Sequence, residues 1–188
     1  HKALLDRLIF DRRPQNACEQ RLRWACLPLG CILGRLQLGP SEMFRGSWDD
    51  LRTCFFQVSQ LDSMICRNGL CDVFDGAEVS DFGAVSGVSY FIALRVQGMG
   101  DLNAVDVIQE IHENILRCHG CLYESEILRY GFLVPETKTV EGVYIDDHFV
   151  GRVGPRRLVK GFVERDEQVI ASSHAGYISS GFSRAPEK

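Results

Sequence analysis

The sequence predicts an α+β fold, in which an antiparallel sheet carries helices packed on one face. Three observations support this. Residues 88–96 are rich in aromatic and β-branched side chains and read as a strand. Ala104, Ile108, Ile111 and Ile115, with Val107 alongside, recur at three- and four-residue spacing and read as a helix. The apolar run 143–150 carries two acids at its middle and reads as a short hairpin.

In chain order, residues 6–16 read as a short strand in polar brackets. Leu8 and Phe10 lie on one face, Arg7 and Ile9 on the other, and Pro14 ends the run because it offers no ladder donor. Residues 17–27 read as a helix, followed by a loop holding Pro28, Gly30, Gly34, Gly39 and Pro40. A strand ends near Asp50 and gives way to a turn or short helix with Phe55 and Phe56, of which Phe56 suits the core. The acidic, glycine-bearing stretch 61–86 reads as loop. Asp101 suits the cap of the helix that ends near Cys118 to Gly120. Beyond the hairpin come a basic loop over 151–157, a second helix over 166–177, and an extended segment from Gly181.

Length and composition allow one domain with a real core. Hydrophobic residues make up 45% and charged residues 24%, ordinary globular values that argue against a disordered chain. No apolar run is long enough to span a bilayer and no signal peptide is visible. With eight scattered cysteines, this predicts reduced thiols in an intracellular protein, cytoplasmic or nuclear. The chain opens on His1, which predicts a piece of a longer protein. A net charge of −4 argues against strong nonspecific nucleic-acid binding, yet the charge is uneven. Residues 1–24 hold six Lys/Arg against three acids, and 151–163 hold four cations and no acid. Residues 61–86 hold five acids against one Arg. Basic margins around an acidic centre suit a phosphate backbone outside and metal ions within.

The pattern Tyr144-Ile145-Asp146-Asp147 stands out because hairpin turns ordinarily take Asn-Gly or Asp-Gly. Two neighbouring carboxylates repel unless a cation lies beside them, and hard oxygen ligands suit Mg²⁺. An exposed acidic turn is the plainer reading of that pair alone, and Asp50 upstream changes it.

Asp50-Leu51-Arg52-Thr53-Cys54-Phe55-Phe56-Gln57-Val58 followed by Tyr144-Ile145-Asp146-Asp147 resembles reverse transcriptases of the retroviral and retrotransposon type, with their D-L-K-D-A-F-F-Q-I and Y-x-D-D segments. Three further blocks fall in the same order. Residues 7–16 resemble the fingers segment R-x-v-x-D-x-R-x-x-N, residues 99–104 the Q-G-x-x-N-S block, and residues 181–188 the G-F-x-x-x-P-E-K block. The resemblance implies a polymerase palm with part of the fingers: fingers over 1–40 and roughly 61–96, palm over 41–60 and 97–188, thumb and RNase H absent. A fragment without a thumb to grip the duplex is expected to extend a primer poorly or not at all.

By resemblance, this is an RNA-directed DNA polymerase that transfers a nucleotide from dNTP to a primer 3′-OH on an RNA or DNA template. Two Mg²⁺ ions, or Mn²⁺, would be held by Asp50, Asp146, Asp147 and the Leu51 main-chain carbonyl. Phe55 would stand against the sugar C2′ and exclude a 2′-hydroxyl. Gly100 would let a nucleotide or base approach the backbone. Arg7 would contact the triphosphate, Arg13 would be structural or template-facing, and Lys188 would serve as general acid for pyrophosphate. Tyr144 and Ile145 would meet the primer end. Met99 stands where the family commonly has Gln, Thr53 where many members have an acid, and Ala104-Val105 where Ser-Pro is usual. The fingers lysine has only Lys2 as a candidate.

Three other readings compete. One is a non-catalytic remnant that binds nucleic acid or protein, and a second is an RNA polymerase sharing the palm. Cys118-His119-Gly120-Cys121, with Cys66 and Cys71, gives a zinc reading, but the spacing is loose for a structural site.

Overall fold

The computed structural model describes residues 10–22, 26–28, 30–157 and 164–185. Its elements are mixed helix and strand, in two compact units. One comprises residues 1–21 and 55–104, the other 22–54 and 105–188.

In the first unit, α1 (Arg13–Asn16) has Pro14 in its first turn, where a missing N–H costs nothing. The expected helix over 17–27 does not form among the described residues of that stretch. Its backbone is engaged elsewhere: the Gln20 carbonyl accepts from the Asn103 side chain, and Arg21 donates to the Leu102 carbonyl at 3.1 Å. Phe10 is not in a strand, and Arg7 to Ile9 lie outside the described residues. The stretch 61–86 is more ordered than its glycines suggest. It contains α3 (Asp62–Ile65) and β2 (Gly69–Asp75), and β2 pairs antiparallel with β3 (Ser89–Ala93), Phe74 opposite Tyr90 and Asp75 opposite Ser89. Cross-strand partners 16 residues apart are what local turn signals miss.

In the second unit, β1 (Glu42–Asp50), β4 (Thr139–Tyr144) and β5 (Asp147–Pro155) form an antiparallel sheet with β5 in the centre. The expected basic loop at 151–157 is instead largely strand, because β5 stays paired with both neighbours through Arg152. Alternation then divides the side chains. Phe44, Gly46, Trp48 and Asp50 share one face with Asp147, Phe149 and Gly151. Arg45, Ser47 and Asp49 share the other with His148, Val150 and Arg152.

That second face receives the helices. In α4 (Ala104–Cys118), His112 meets the His148 ring edge-on at 6.3 Å. In α5 (Arg165–Ser179), Asp166 takes a forked pair from Arg45 at 2.7 and 2.8 Å. A capping box between Glu164 and Glu167 starts α5. The first face carries its own cluster of Ile32, Leu128, Val140 and Phe149, with Leu33, Phe44 and Val134 against it. Gly151 makes that packing possible, since a Cβ there would lie 2.4 Å from the Phe44 ring and 2.8 Å from Phe149. The short α2 (Cys54–Gln57) carries the chain between the units. Among the described residues no helix is long and apolar enough to cross a membrane.

Candidate active site

β4 runs through Tyr144 into a two-residue turn, Ile145-Asp146, and β5 starts at Asp147. Ile145 has φ +59°, where a β-branched residue is a true outlier and glycine is the usual choice. Such a conformation costs roughly 1–3 kcal/mol and persists only where its surroundings over-determine it. Here two hydrogen bonds hold the Ile145 backbone on both sides. Its N–H donates to Gln109 Oε1 at 2.8 Å, and its carbonyl accepts from His112 Nδ1 at 2.8 Å. A carbonyl can only accept, so Nδ1 carries the proton, and Nε2 accepts from the Tyr177 hydroxyl at 2.9 Å. His112 and Tyr177 are both fully buried. Burial pushes the imidazole down to about 4, so it is neutral at physiological pH.

The acids converge beside this turn. Asp50 pairs in register with Asp147 across β1 and β5, although 97 positions separate them (147 − 50). The Leu51 N–H donates to the Asp146 carbonyl at 2.9 Å, fastening the end of β1 to the turn. The Ala185 N–H donates to the Asp50 carbonyl at 2.7 Å and the Arg52 N–H to the Ser183 carbonyl at 3.0 Å, so residues 183–185 brace the same strand end. The Asp146 carboxyl is raised above its ordinary range, first by burial and then by the Asp50 charge. The Cys54 thiol is pushed up to about 12 by burial and by the charges of Asp146 and Asp50. Among the described residues no cationic side chain pairs with Asp50 or Asp146. A carboxylate whose ionisation is made costlier by burial and by a neighbouring acid is the electrostatic setting a divalent cation relieves. Among the described residues no group of three or more His, Cys, Asp or Glu is gathered to hold a metal.

Asp49 and Asp50 are neighbours with opposite fates. Asp49 turns to the helix face, where Arg184 Nη1 donates to it at 2.7 Å, with Ser173 Oγ at 3.3 Å and His174 Nε2 at 3.1 Å. Asp50 is left on the open face. An open groove passes these residues, lined by Trp48, Asp49, Asp50, Asp147, His174 and Arg184. Trp48 is 65% exposed and packs on Phe149 with ring centroids 4.5 Å apart.

The remaining sequence-derived residues divide as follows. Tyr144 is half exposed beside the acids, and the Leu51 side chain is buried. Arg7 and Lys188 lie outside the described residues. Arg13 is exposed and forks onto Asp11 at 2.6 and 2.9 Å, an ion pair between neighbours in the chain. Phe55 is partly buried, whereas Phe56, expected in the core, is 40% exposed, because Cys54 takes the buried position of that short helix. Met99 is exposed. Gly100 has φ +98°, and a Cβ there would meet only Arg12 Cγ at 3.7 Å, so its own backbone demands glycine more than any crowding does. Its turn is clamped by Asn16, whose Nδ2 donates to the Gly100 carbonyl at 2.9 Å and whose Oδ1 accepts from the Leu102 N–H at 2.8 Å. Arg12, buried, is ion-paired with Asp101 and donates to Asn68 Oδ1 at 2.7 Å.

Two of the zinc candidates, His119 and Cys121, are otherwise employed. Cys121 is buried with its thiol on the Val169 carbonyl, and His119 is engaged by the Ile115 carbonyl and Ser179 Oγ. Sequence reasoning missed Gln109, His112 and Tyr177. The available signal was two polar side chains, at 109 and 112, interrupting the apolar stripe of Ile108, Ile111 and Ile115. No protein-family model matches this sequence and no curated protein matches it.

Proposed function

We propose that this chain is the fingers and palm portion of an RNA-directed DNA polymerase of a retroelement, adding deoxynucleotides to a primer 3′-OH. The observation that carries the reading is the meeting of Asp50 with Asp146 and Asp147, from distant sequence blocks, at one end of one sheet. Divalent cations, Mg²⁺ or Mn²⁺, would be held there by Asp50, Asp146 and Asp147 with the Leu51 carbonyl, and would supply charge stabilisation for phosphoryl transfer.

The chain's own residues do the rest by position. The half-buried Asp146 carboxyl keeps a costly negative charge that a bound cation offsets. Tyr144 and Ile145 present the turn to a primer end, and the flat face of Trp48 beside them is suited to stacking against a base. Phe55 would limit the sugar to deoxyribose.

The rival reading, a polymerase-derived module that binds protein without turnover, draws on one observation. The β2–β3 ribbon exposes Val73, Phe82, Val85 and Phe91 among acids, a surface better suited to a protein than to a phosphate backbone.

Primer extension on an RNA template with a DNA primer, dNTP and Mg²⁺ or Mn²⁺, by this chain with a thumb appended, tests the choice, with Mn²⁺-induced thermal stabilisation of the chain itself measured alongside. Polymerase function predicts incorporation and stabilisation that both disappear in Asp146→Asn. Incorporation unchanged in that variant, or neither effect in the wild-type chain, refutes it.

A further inference from the structure

We infer that His112, backed by Tyr177, is the positioning residue of this site: its Nδ1–H holds the Ile145 carbonyl in the left-handed turn and so sets where Asp146 stands. The inference deepens the reading of Asp50 and Asp146 as a cation site and rests on it.

Ile145 sits at φ +59°, which its β-branched side chain resists, so the turn does not hold itself. Something outside the hairpin must fix the peptide, and α4 supplies it from adjacent turns. Gln109 Oε1 accepts from the Ile145 N–H, and His112 Nδ1–H donates a hydrogen bond to the carbonyl of the peptide that joins Ile145 to Asp146. That carbonyl belongs to the peptide plane leading into Asp146, so its direction fixes the start of the acid's own backbone. Asp146 is fastened on its far side by the Leu51 N–H, which places the acid between two backbone anchors.

The imidazole does this in a defined chemical state. Nδ1 faces an acceptor and must be protonated, and Nε2 faces the Tyr177 hydroxyl at 2.9 Å. Tyr177 is 0% exposed and packs edge-on to the imidazole, with ring centroids 5.5 Å apart. The hydroxyl therefore donates and selects the Nδ1–H tautomer, as partners of metal-ligating histidines do one step further in. A core histidine with a purely space-filling role would need neither bond to be aimed at the one strained residue of the hairpin.

The test compares His112→Asn, whose amide can reproduce the Nδ1–H donor, with His112→Leu, which keeps bulk and loses the donor. Each is made in the full chain, with and without Ile145→Gly, which relieves the backbone conflict. The readouts are Mn²⁺ affinity and the backbone chemical shifts of Ile145 and Asp146, with imidazole ¹⁵N shifts reporting the tautomer in the wild type. Positioning predicts that His112→Leu weakens Mn²⁺ binding about tenfold and moves Ile145 out of the left-handed region. His112→Asn should stay within about twofold of wild type, and Ile145→Gly should restore most of the loss in the Leu background. In any chain competent for nucleotide addition, the same loss should fall on kcat with KM for dNTP nearly unchanged.

Wild-type Mn²⁺ affinity and Ile145 shifts in His112→Leu, or an Nε2–H tautomer in the wild type, would overturn the inference. So would equal loss in the Asn and Leu variants with no recovery from Ile145→Gly. If the wild-type chain binds no Mn²⁺ at Asp50 and Asp146, the cation reading fails by itself. The Ile145 shifts and the tautomer then decide the positioning role.

Discussion

Two acidic turns in this molecule have similar compositions and opposite physics. In the β2–β3 ribbon, Asp75 begins a connection that also holds Glu78 and Asp81. Its carboxylate is consumed by the backbone: Ala77 N–H donates to it at 2.8 Å and Gly87 N–H at 3.2 Å, while Glu78 accepts from the Asp75 N–H at 2.8 Å. At the β4–β5 turn, Asp146 has its charge set against burial and against Asp50, and its peptide is held by groups outside the hairpin. The first turn uses acids to make itself. The second is made by other residues, and the Asp146 carboxylate takes no part in building it. Acid density marks both; only the way the charge is satisfied separates them.

Nucleotide incorporation should show the contrast most sharply. Asp146→Asn or Asp50→Asn is expected to lower it by on the order of 10²–10³-fold, whereas Asp75→Asn should leave it at the wild-type level in the same primer-extension assay. Comparable losses from both sites would erase the distinction.

Acid titration is the next largest effect. His112 has its pKa lowered from 6.5 to about 4 by burial, with His148 opposing the charge and the Ile145 carbonyl and Asp49 favouring it. A depressed histidine stabilises the fold fully above its unfolded value, and that stability is lost as pH falls from 6.5 through about 4. The loss should be on the order of 3 kcal/mol in equilibrium unfolding, with Ile145 resonances at the turn responding first. The Asp75 connection contains no histidine, so this loss has no counterpart there.

Packing behind the acids gives a smaller change. Gly151→Ala drives a methyl into the Phe44 and Phe149 rings and should cost about 2 kcal/mol by denaturant unfolding. A neutral result would mean that the first face of the sheet repacks freely.

The smallest change has the opposite sign. Asp146 has a raised carboxyl, so its ionised form opposes folding, and the stability present below the unfolded carboxyl value is lost as pH rises through the folded one. Asp146→Asn should therefore stabilise the chain at neutral pH, by little because solvent screens a half-exposed site. The gain should vanish on acidification. Asp75→Asn should do the reverse, losing up to about 1 kcal/mol with its two backbone bonds.

Much of the fold was legible where a single periodicity ruled. The stripe of Ile108, Ile111 and Ile115 located α4, and the apolar run around Asp146 and Asp147 located a hairpin. The strand ending near Asp50 was also readable, and β1 ends at that residue. What sequence could not supply were partners. The segment 17–22 has helix-compatible residues, but Asn103 and Leu102 claim its backbone and Arg21 side chain. β2 exists because β3 lies opposite it, and Arg152 is in strand because two neighbours pair with it. At the site, the acids announced themselves by adjacency, whereas His112 and Tyr177 are 65 positions apart and have no motif in common. Only the fold makes them a pair.

The alternation along β1 has a consequence for how the chain tolerates change in length. Asp50 faces the groove and Asp49 faces α5 because each strand position is assigned by parity alone. One residue gained or lost within Glu42–Asp50 would exchange the two. The acid now neutralised by Arg184 would stand on the face of Asp147, and the acid now on that face would be driven against Ser173 and His174. Composition, charge and strand propensity would all survive such an edit. For this strand the reading frame of the backbone matters more than the spelling of the residues, and insertions or deletions should be far rarer there than point substitutions.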